Sequence, residues 1–354
     1  MSKISDNLII GGDFDYNPWQ RGTSFISVSD SSYTADRFQY HKSGTMVHDI
    51  SKNTAAPVAS VTEEFQPSYS MLIDCTTADN SIIATDYCYI NTKIEGYDLK
   101  VFSNFPSGLW LGLYVMSTRI GVHCLSIRNA GLDRSCLFEV DILVPMVWQW
   151  VSVNIPKIPV TGTWNFTNGV GFDIAITLAT GNNYRDLTNT TGTWLTGNYL
   201  STNNQENFCD DALNFFWIDL ISIGKGDRTN YQFTSSGNYS LTLFNCQRYY
   251  EKSYNQGVDP GTATPVGISS SIMPVAANTN LIGLQNNFAV TKRDTPTITW
   301  YSSAGTSGNI TDASAGDIVV TGNVNEGACS TGYPTIGAGT ANNVSGHWTA
   351  DAEL

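Results

Sequence analysis

Four aromatic residues, Trp110, Tyr114, Trp148 and Trp150, fall at even spacings inside two strand-like runs. Rings on one strand face can stack against the C–H face of a sugar. The same rings also serve to bury a core or a subunit interface, where each large apolar side chain contributes about 1.5–3 kcal/mol. Asp210, Asp211, Glu63, Glu64 and Asp219 come nearest to a carboxylate pair for glycoside hydrolysis, a chemistry that depends on two carboxylates at a fixed separation. Carboxylates in such positions more often belong to turns and strand edges. The histidines His41, His48, His123 and His347 are scattered, none at metal-ligand spacing from a second His or a Cys, so no zinc or iron site is expected. G-x-S-x-G, phosphate-loop and G-x-G-x-x-G patterns are absent, which sets aside the usual hydrolase, phosphoryl-transfer and hydride-transfer machinery. The expectation is a protein that binds or builds and is not an enzyme.

The elements that would carry these residues are strands. In Gly171 to Leu178, Phe172, Ile174, Ile176 and Leu178 face one way and Asp173, Ala175 and Thr177 the other. In Leu109 to Met116 both faces are apolar, so that strand is covered on both sides. Trp148 to Ile155 sets Val151, Val153 and Ile155 against Trp148, Trp150, Ser152 and Asn154. Further strands are expected at 7–10, 37–40, 69–75, 87–94, 124–128, 137–144, 215–223 and 240–250. No stripe of helical period persists for three turns, so helices are few and short. The count suits an all-β, two-sheet jelly roll over residues 1–254. The turn-rich Asn255-Gln256-Gly257-Val258-Asp259-Pro260-Gly261 then opens a smaller β domain over 255–354, closed by a last strand that packs Trp348 inside. Arg248, Tyr249 and Tyr250 fall at the junction, where a cation–π or bidentate contact is expected.

Composition narrows the partners. With 18 basic and 31 acidic residues the net charge is −13, which offers no footprint for a phosphate backbone, and nucleic acid is not expected. Cys75, Cys88, Cys124, Cys136, Cys209, Cys246 and Cys329 are odd in number, form no C-x-x-C pair and read as buried thiols. The N-terminus has no long apolar leader and no run of 18 apolar residues occurs, so synthesis in a cytoplasm without membrane insertion is expected.

Several stretches, in order, resemble a family of bacteriophage virion proteins described as tail-fibre or carbohydrate-binding-like. They are Asn7-Leu8-Ile9-Ile10-Gly11-Gly12-Asp13-Phe14, Trp19-Gln20-Arg21-Gly22-Thr23-Ser24-Phe25, Tyr33-Thr34-Ala35-Asp36-Arg37-Phe38, Lys93-Ile94-Glu95-Gly96 and Gly162-Thr163-Trp164-Asn165. Then come Gly192-Thr193-Trp194-Leu195-Thr196-Gly197-Asn198-Tyr199, Cys246-Gln247-Arg248-Tyr249-Tyr250-Glu251-Lys252, Thr295-Pro296-Thr297-Ile298-Thr299-Trp300-Tyr301-Ser302 and the closing Trp348-Thr349-Ala350-Asp351-Ala352-Glu353-Leu354. After Asp219 the chain departs from that pattern, with Leu220-Ile221-Ser222-Ile223-Gly224-Lys225-Gly226 in place of a usual Gln-Leu-Glu-x-Gly. Any site built on that glutamate is in doubt here.

The resemblance implies a virion surface protein, trimeric by analogy with that family, that contacts other tail or capsid proteins and recognises a host-surface glycan. A purely architectural role as head decoration, head fibre or tail adaptor is the alternative, and a polysaccharide depolymerase a further one. The opening Asn-x-x-x-x-Gly-Asp-Phe also resembles jelly-roll carbohydrate-binding modules, which implies a structural calcium between Asp13 and a late acidic residue, Asp219. Otherwise Asp13 and Asp36 cap turns and pair with Arg21 or Arg37.

Overall fold

A computed structural model describes residues 7–57, 66–102, 108–225, 238–273, 282–313, 316–332 and 342–354. The chain divides into two compact units, one of Met1–Asn17, Thr23–Thr242 and Leu354, the other of Pro18–Gly22 and Leu243–Glu353.

The first unit is built from β1 (Ser24–Phe25), β2 (Ser32–Tyr33), β3 (Phe38–Ser43), β4 (Val47–Asn53), β5 (Ser70–Thr77), β6 (Tyr87–Glu95), β7 (Leu109–Ser117), β8 (Gly121–Asn129), β9 (Arg134–Ile142), β10 (Gln149–Ile155), β11 (Val170–Thr180), β12 (Arg185–Asp186), β13 (Trp194–Thr196), β14 (Ser201–Thr202) and β15 (Phe215–Lys225). They form a six-stranded sheet, β1-β4-β5-β15-β7-β10, a seven-stranded sheet, β13-β9-β8-β11-β6-β3-β2, and a short parallel pair, β12-β14. The six- and seven-stranded sheets are faces of one jelly-roll sandwich. Phe38, Ile90, Leu125 and Ile174 from the larger sheet line a small interior void with Leu111, Leu113 and Ile221 from the smaller. Every residue of β7 is buried, as its two apolar faces require. On β10 the pairing Trp150↔Tyr114, Ser152↔Gly112 and Asn154↔Trp110 puts these side chains on the face away from that void.

β15 is broken by a register shift between Asp219 and Ser222, and Leu220 takes a positive φ of 50°. The Asp219 carboxylate accepts from the Leu220 N–H at 2.8 Å and holds the bulge. The departure of the sequence after Asp219 therefore falls on an irregular stretch of strand.

Among the described residues two α-helices accompany the strands, α1 (Gly96–Phe102) and α2 (Tyr239–Gln247). The second corrects the strand expected at 240–250. Its signal was the N-cap: the Asn238 side chain accepts from the Leu241 N–H at 3.0 Å, the bond that starts a helix. Residues 7–10 are not a regular strand either, although the Leu8 N–H donates to the Ile223 carbonyl.

The second unit holds β16 (Tyr250–Lys252), β17 (Ser269–Met273), β18 (Ile282–Asn287), β19 (Thr297–Tyr301), β20 (Asn309–Asp312), β21 (Gly316–Val319), β22 (Gly322–Val324), β23 (Ala328–Gly332) and β24 (Asn342–Asp351). β24 is its spine, pairing with β16, β17, β19 and β20. Trp348 on that strand packs with Trp300, Phe288, Ile310 and Leu284, a core fed by both sheets of the unit.

Candidate functional site

The four aromatics singled out in the sequence divide. Trp110, Tyr114 and Trp150 do gather on the outer face of the six-stranded sheet, around Gly112. A Cβ there would lie 2.3 Å from the Trp150 ring and 3.0 Å from Trp110, so glycine is what lets the indoles close over the strand. Tyr114 and Trp150 are 5.1 Å apart between centroids. Yet Trp110 is 2% exposed and Tyr114 fully buried, so this is a packed cluster and not an open platform. Trp148 lies just before β10 and is half-buried.

The outer face of the seven-stranded sheet is different. Three cross-strand rows run over β3, β6, β11 and β8: Gln39, Asn91, Ala175 and Ser126; His41, Tyr89, Thr177 and Cys124; and Lys93, Asp173 and Arg128. Alternation places them opposite Phe38, Tyr40, Ile90 and Ile174, which fill the core. The segment carrying β12 to β14 covers the β8 side, where Ser126 Oγ donates to the Tyr199 carbonyl and Thr177 Oγ1 to the Leu200 carbonyl. Towards β6 and β3, Tyr87, Tyr184 and His41 are half-buried, and they pack around Tyr89, which is buried with Ala175 and Leu200. His41 stacks on Tyr89 at 4.7 Å, and Tyr87 meets Tyr89 at 5.7 Å and Tyr184 edge-on at 5.3 Å.

Beneath these rings lies a buried polar frame. The Arg128 guanidinium sits 5.0 Å from the Tyr89 centroid and bonds Asp173 at 2.7 Å. The other Asp173 oxygen accepts from Asn91 at 2.8 Å, and Arg128 also reaches Asn198 at 3.0 Å. Three polar atoms of this frame, His41 Nε2, Asn91 Oδ1 and Arg128 Nε, are buried without a hydrogen-bond partner among the described residues. Burial holds the His41 imidazole below its ordinary pKa, against the pull of Asp173, so it is neutral at pH 7. Burial likewise pushes the Tyr89 phenol up to about 12, and it stays protonated. A neutral imidazole, an amide oxygen and a guanidinium N–H next to apolar rings fit a ligand that offers hydroxyl groups and C–H faces together. In the sequence only the alternation Tyr87-x-Tyr89-x-Asn91-x-Lys93 hinted at this face. Arg128 and Asp173 join it through the β8–β11–β6 pairing, which no local pattern announces.

Asp13 and Asp219 also come together. Asp13 accepts from the Asp15 N–H and Asp219 from Phe14 and Leu220, yet the second oxygen of each carboxylate is buried with no partner among the described residues. Burial raises Asp13 to about 6, and burial with the Asp13 charge raises Asp219 well above the carboxylate range. Two hard, unsatisfied oxygens are the donor type that calcium takes. The expected pairing of Asp13 with Arg21 does not form: Arg21 bonds Asp351 at 3.1 Å and Glu353 at 3.4 Å.

Arg248, Tyr249 and Tyr250 all lie in the second unit, with both tyrosines buried. The cation over Tyr250 is Arg21, 3.6 Å from the ring centroid. All seven cysteines are buried and free, and three elements bring Cys88 and Cys209 to His48 in the interior.

No protein-family model matches the sequence, and no curated protein matches it. Among solved structures, the chain is similar to the family 11 carbohydrate-binding module of the cellulosomal cellulase Lic26A-Cel5E of Clostridium thermocellum, at 8% identity and TM-score 0.30, over 59% of this chain and 99% of that one. The same family's module in complex with a β-1,3-1,4-mixed-linked tetrasaccharide gives 8% identity and TM-score 0.31, over 59% and 99%. Recombinant discoidin II of Dictyostelium discoideum gives 6% and 0.18, over 86% and 94%. Values this low leave function to be read from this chain's own side chains.

Proposed function

We propose that the protein is a non-enzymatic saccharide-binding module whose site is the outer face of the seven-stranded sheet. The observation that carries this is the set of unpartnered buried atoms of His41, Asn91 and Arg128 beside Tyr87, Tyr89 and Tyr184. Sugar hydroxyls satisfy such donors and acceptors, and the rings take the apolar ring face. Asp173 is committed by both oxygens to Asn91 and Arg128, which suits an anchor better than a proton-transfer group. A glycan array with the full-length protein and its Tyr184→Ala and Asn91→Ala variants tests the reading. Selective hits lost in both variants support it; hits retained in both sink it.

The finer reading, a bacteriophage surface protein that displays this face in several copies to a host glycan, is supported by the sequence resemblance. Self-assembly, a trimer in that reading, finds a matching feature in the turn before β10. There Leu143, Val144, Met146 and Val147 are 50–74% exposed, next to the end strand of the six-stranded sheet. Repeated weak sites would then raise avidity by about 10²–10⁴. Calcium at Asp13 and Asp219 belongs to the same proposal as a structural ion, joining the N-terminal segment to the β15 bulge.

A further inference from the structure

His48, Cys75, Cys88 and Cys209 are far apart in sequence, but strand pairing collects them at one place inside the first unit. His48 on β4 lies directly opposite Cys75 on β5, in the six-stranded sheet. Cys88 comes from β6 of the facing sheet. Cys209 comes from the short 3-10 turn Phe208–Asp210, whose start is fixed by the Asn207 side chain accepting from the Cys209 N–H at 3.0 Å. One donor atom each from His48, Cys88 and Cys209 all lie within 4.8 Å of one another.

The distances resemble those of a metal site before loading. Cys209 Sγ is 3.6 Å from His48 Nε2, and Cys88 Sγ is 3.9 Å from Nδ1. Ligands about 2.0–2.3 Å from a tetrahedral ion stand about 3.5–3.8 Å apart, so Cys209 is already placed beside Nε2, while Cys88, on the Nδ1 side, turns towards Nε2 on loading. The outer shell is also in place. The Tyr40 hydroxyl is 2.6 Å from Nδ1, a partner that orients the ring and leaves Nε2 for a metal. Phe208 stacks on the imidazole at 5.8 Å, and His48, the three cysteines, Tyr40 and Phe208 are all fully buried, which excludes water.

We propose that His48 Nε2, Cys88 and Cys209 bind one Zn²⁺ that ties the two sheets together, with Cys75, whose thiol donates to the Thr77 carbonyl at 3.5 Å, turning in as fourth ligand. Thiolate and imidazole donors select a soft or borderline ion, and four such donors in a closed pocket suit zinc in a structural role. On loading, the protons held by the thiols and the ring pass to solvent, so uptake strengthens as pH rises.

The test is metal analysis of the full chain purified under reducing conditions without chelator, followed by chelation, zinc return and anaerobic titration with Co²⁺. One zinc per chain is expected, with a melting temperature that falls on chelation and recovers with Zn²⁺, and a thiolate-to-Co²⁺ charge-transfer band. Cys88→Ser and Cys209→Ser should reduce zinc to background, while Cys136→Ala and Cys329→Ala, outside the cluster, should keep it. Should the serine variants not fold, the cobalt spectrum of the unaltered protein decides. Folded, reduced protein that takes up neither ion overturns the site. So does zinc that survives in the folded serine variants, and copper found in place of zinc overturns the zinc assignment.

Discussion

The two outer faces of the first unit carry similar side chains and differ in how far those side chains reach solvent. On the six-stranded sheet, Trp110, Tyr114 and Trp150 close over Gly112 and are spent on packing. On the seven-stranded sheet, Tyr87 and Tyr184 stay half-buried around the buried Tyr89, over a polar frame that lacks partners for three buried atoms among the described residues. Aromatic content finds both faces. Ser222 Oγ on the packed face is also buried without a hydrogen-bond partner among the described residues, so access separates a binding face from a packed one: only beside half-open rings can a ligand return what a buried unpaired group costs, about 1–3 kcal/mol.

The sharpest way to break this contrast is to cut into each face. Trp110→Ala should destabilise the first unit by about 3–5 kcal/mol in urea unfolding, while the folded fraction binds glycan with unchanged affinity. Asp173→Asn should cost a comparable amount, about 3–5 kcal/mol, because it leaves the buried Arg128 charge uncompensated. Tyr184→Ala, at a half-exposed ring, should barely move the melting temperature and should weaken glycan binding about tenfold, or about 1.4 kcal/mol, by calorimetric titration.

A smaller effect is expected at the Asp13–Asp219 pair. Asp13 has a folded pKa of about 6, above its ordinary value, so its contribution to stability is complete below about pH 4 and lost as pH rises through 6. Added Ca²⁺ should therefore raise the melting temperature at pH 7.5 and do little at pH 5, and a calcium response equal at both values contradicts the site. The smallest change in folding, with the clearest change in mass, belongs to Val144→Asp. It should leave unfolding unaltered and reduce the light-scattering mass of an assembled protein to that of one chain.

Much of the architecture was legible because period-two patterns survive into the strands. Leu109 to Met116 reads as doubly covered and is buried throughout, and the face shared by Trp150, Ser152 and Asn154 is the one the register produces. The stretch 240–250 misled because three apolar residues alternate loosely there, while the decisive feature was one capping asparagine. The site was less legible for a topological reason. Strand alternation gives the face of each residue but not its neighbours, so the Trp110 cluster looked as open as the Tyr89 face, and burial is a property of the third dimension. The same reason hid the cysteine–histidine cluster, whose members are contributed by β4, β5, β6 and a turn more than a hundred residues later.

Hydrogen–deuterium exchange of the full-length protein, with and without an oligosaccharide identified on the array, tests the central claim most directly. The account predicts that added sugar protects residues 87–93, 126–129, 173–177 and 184 while exchange at 109–116 and 149–155 stays unchanged. Protection confined to 109–116 and 149–155 would move the site to the tryptophan face and contradict it.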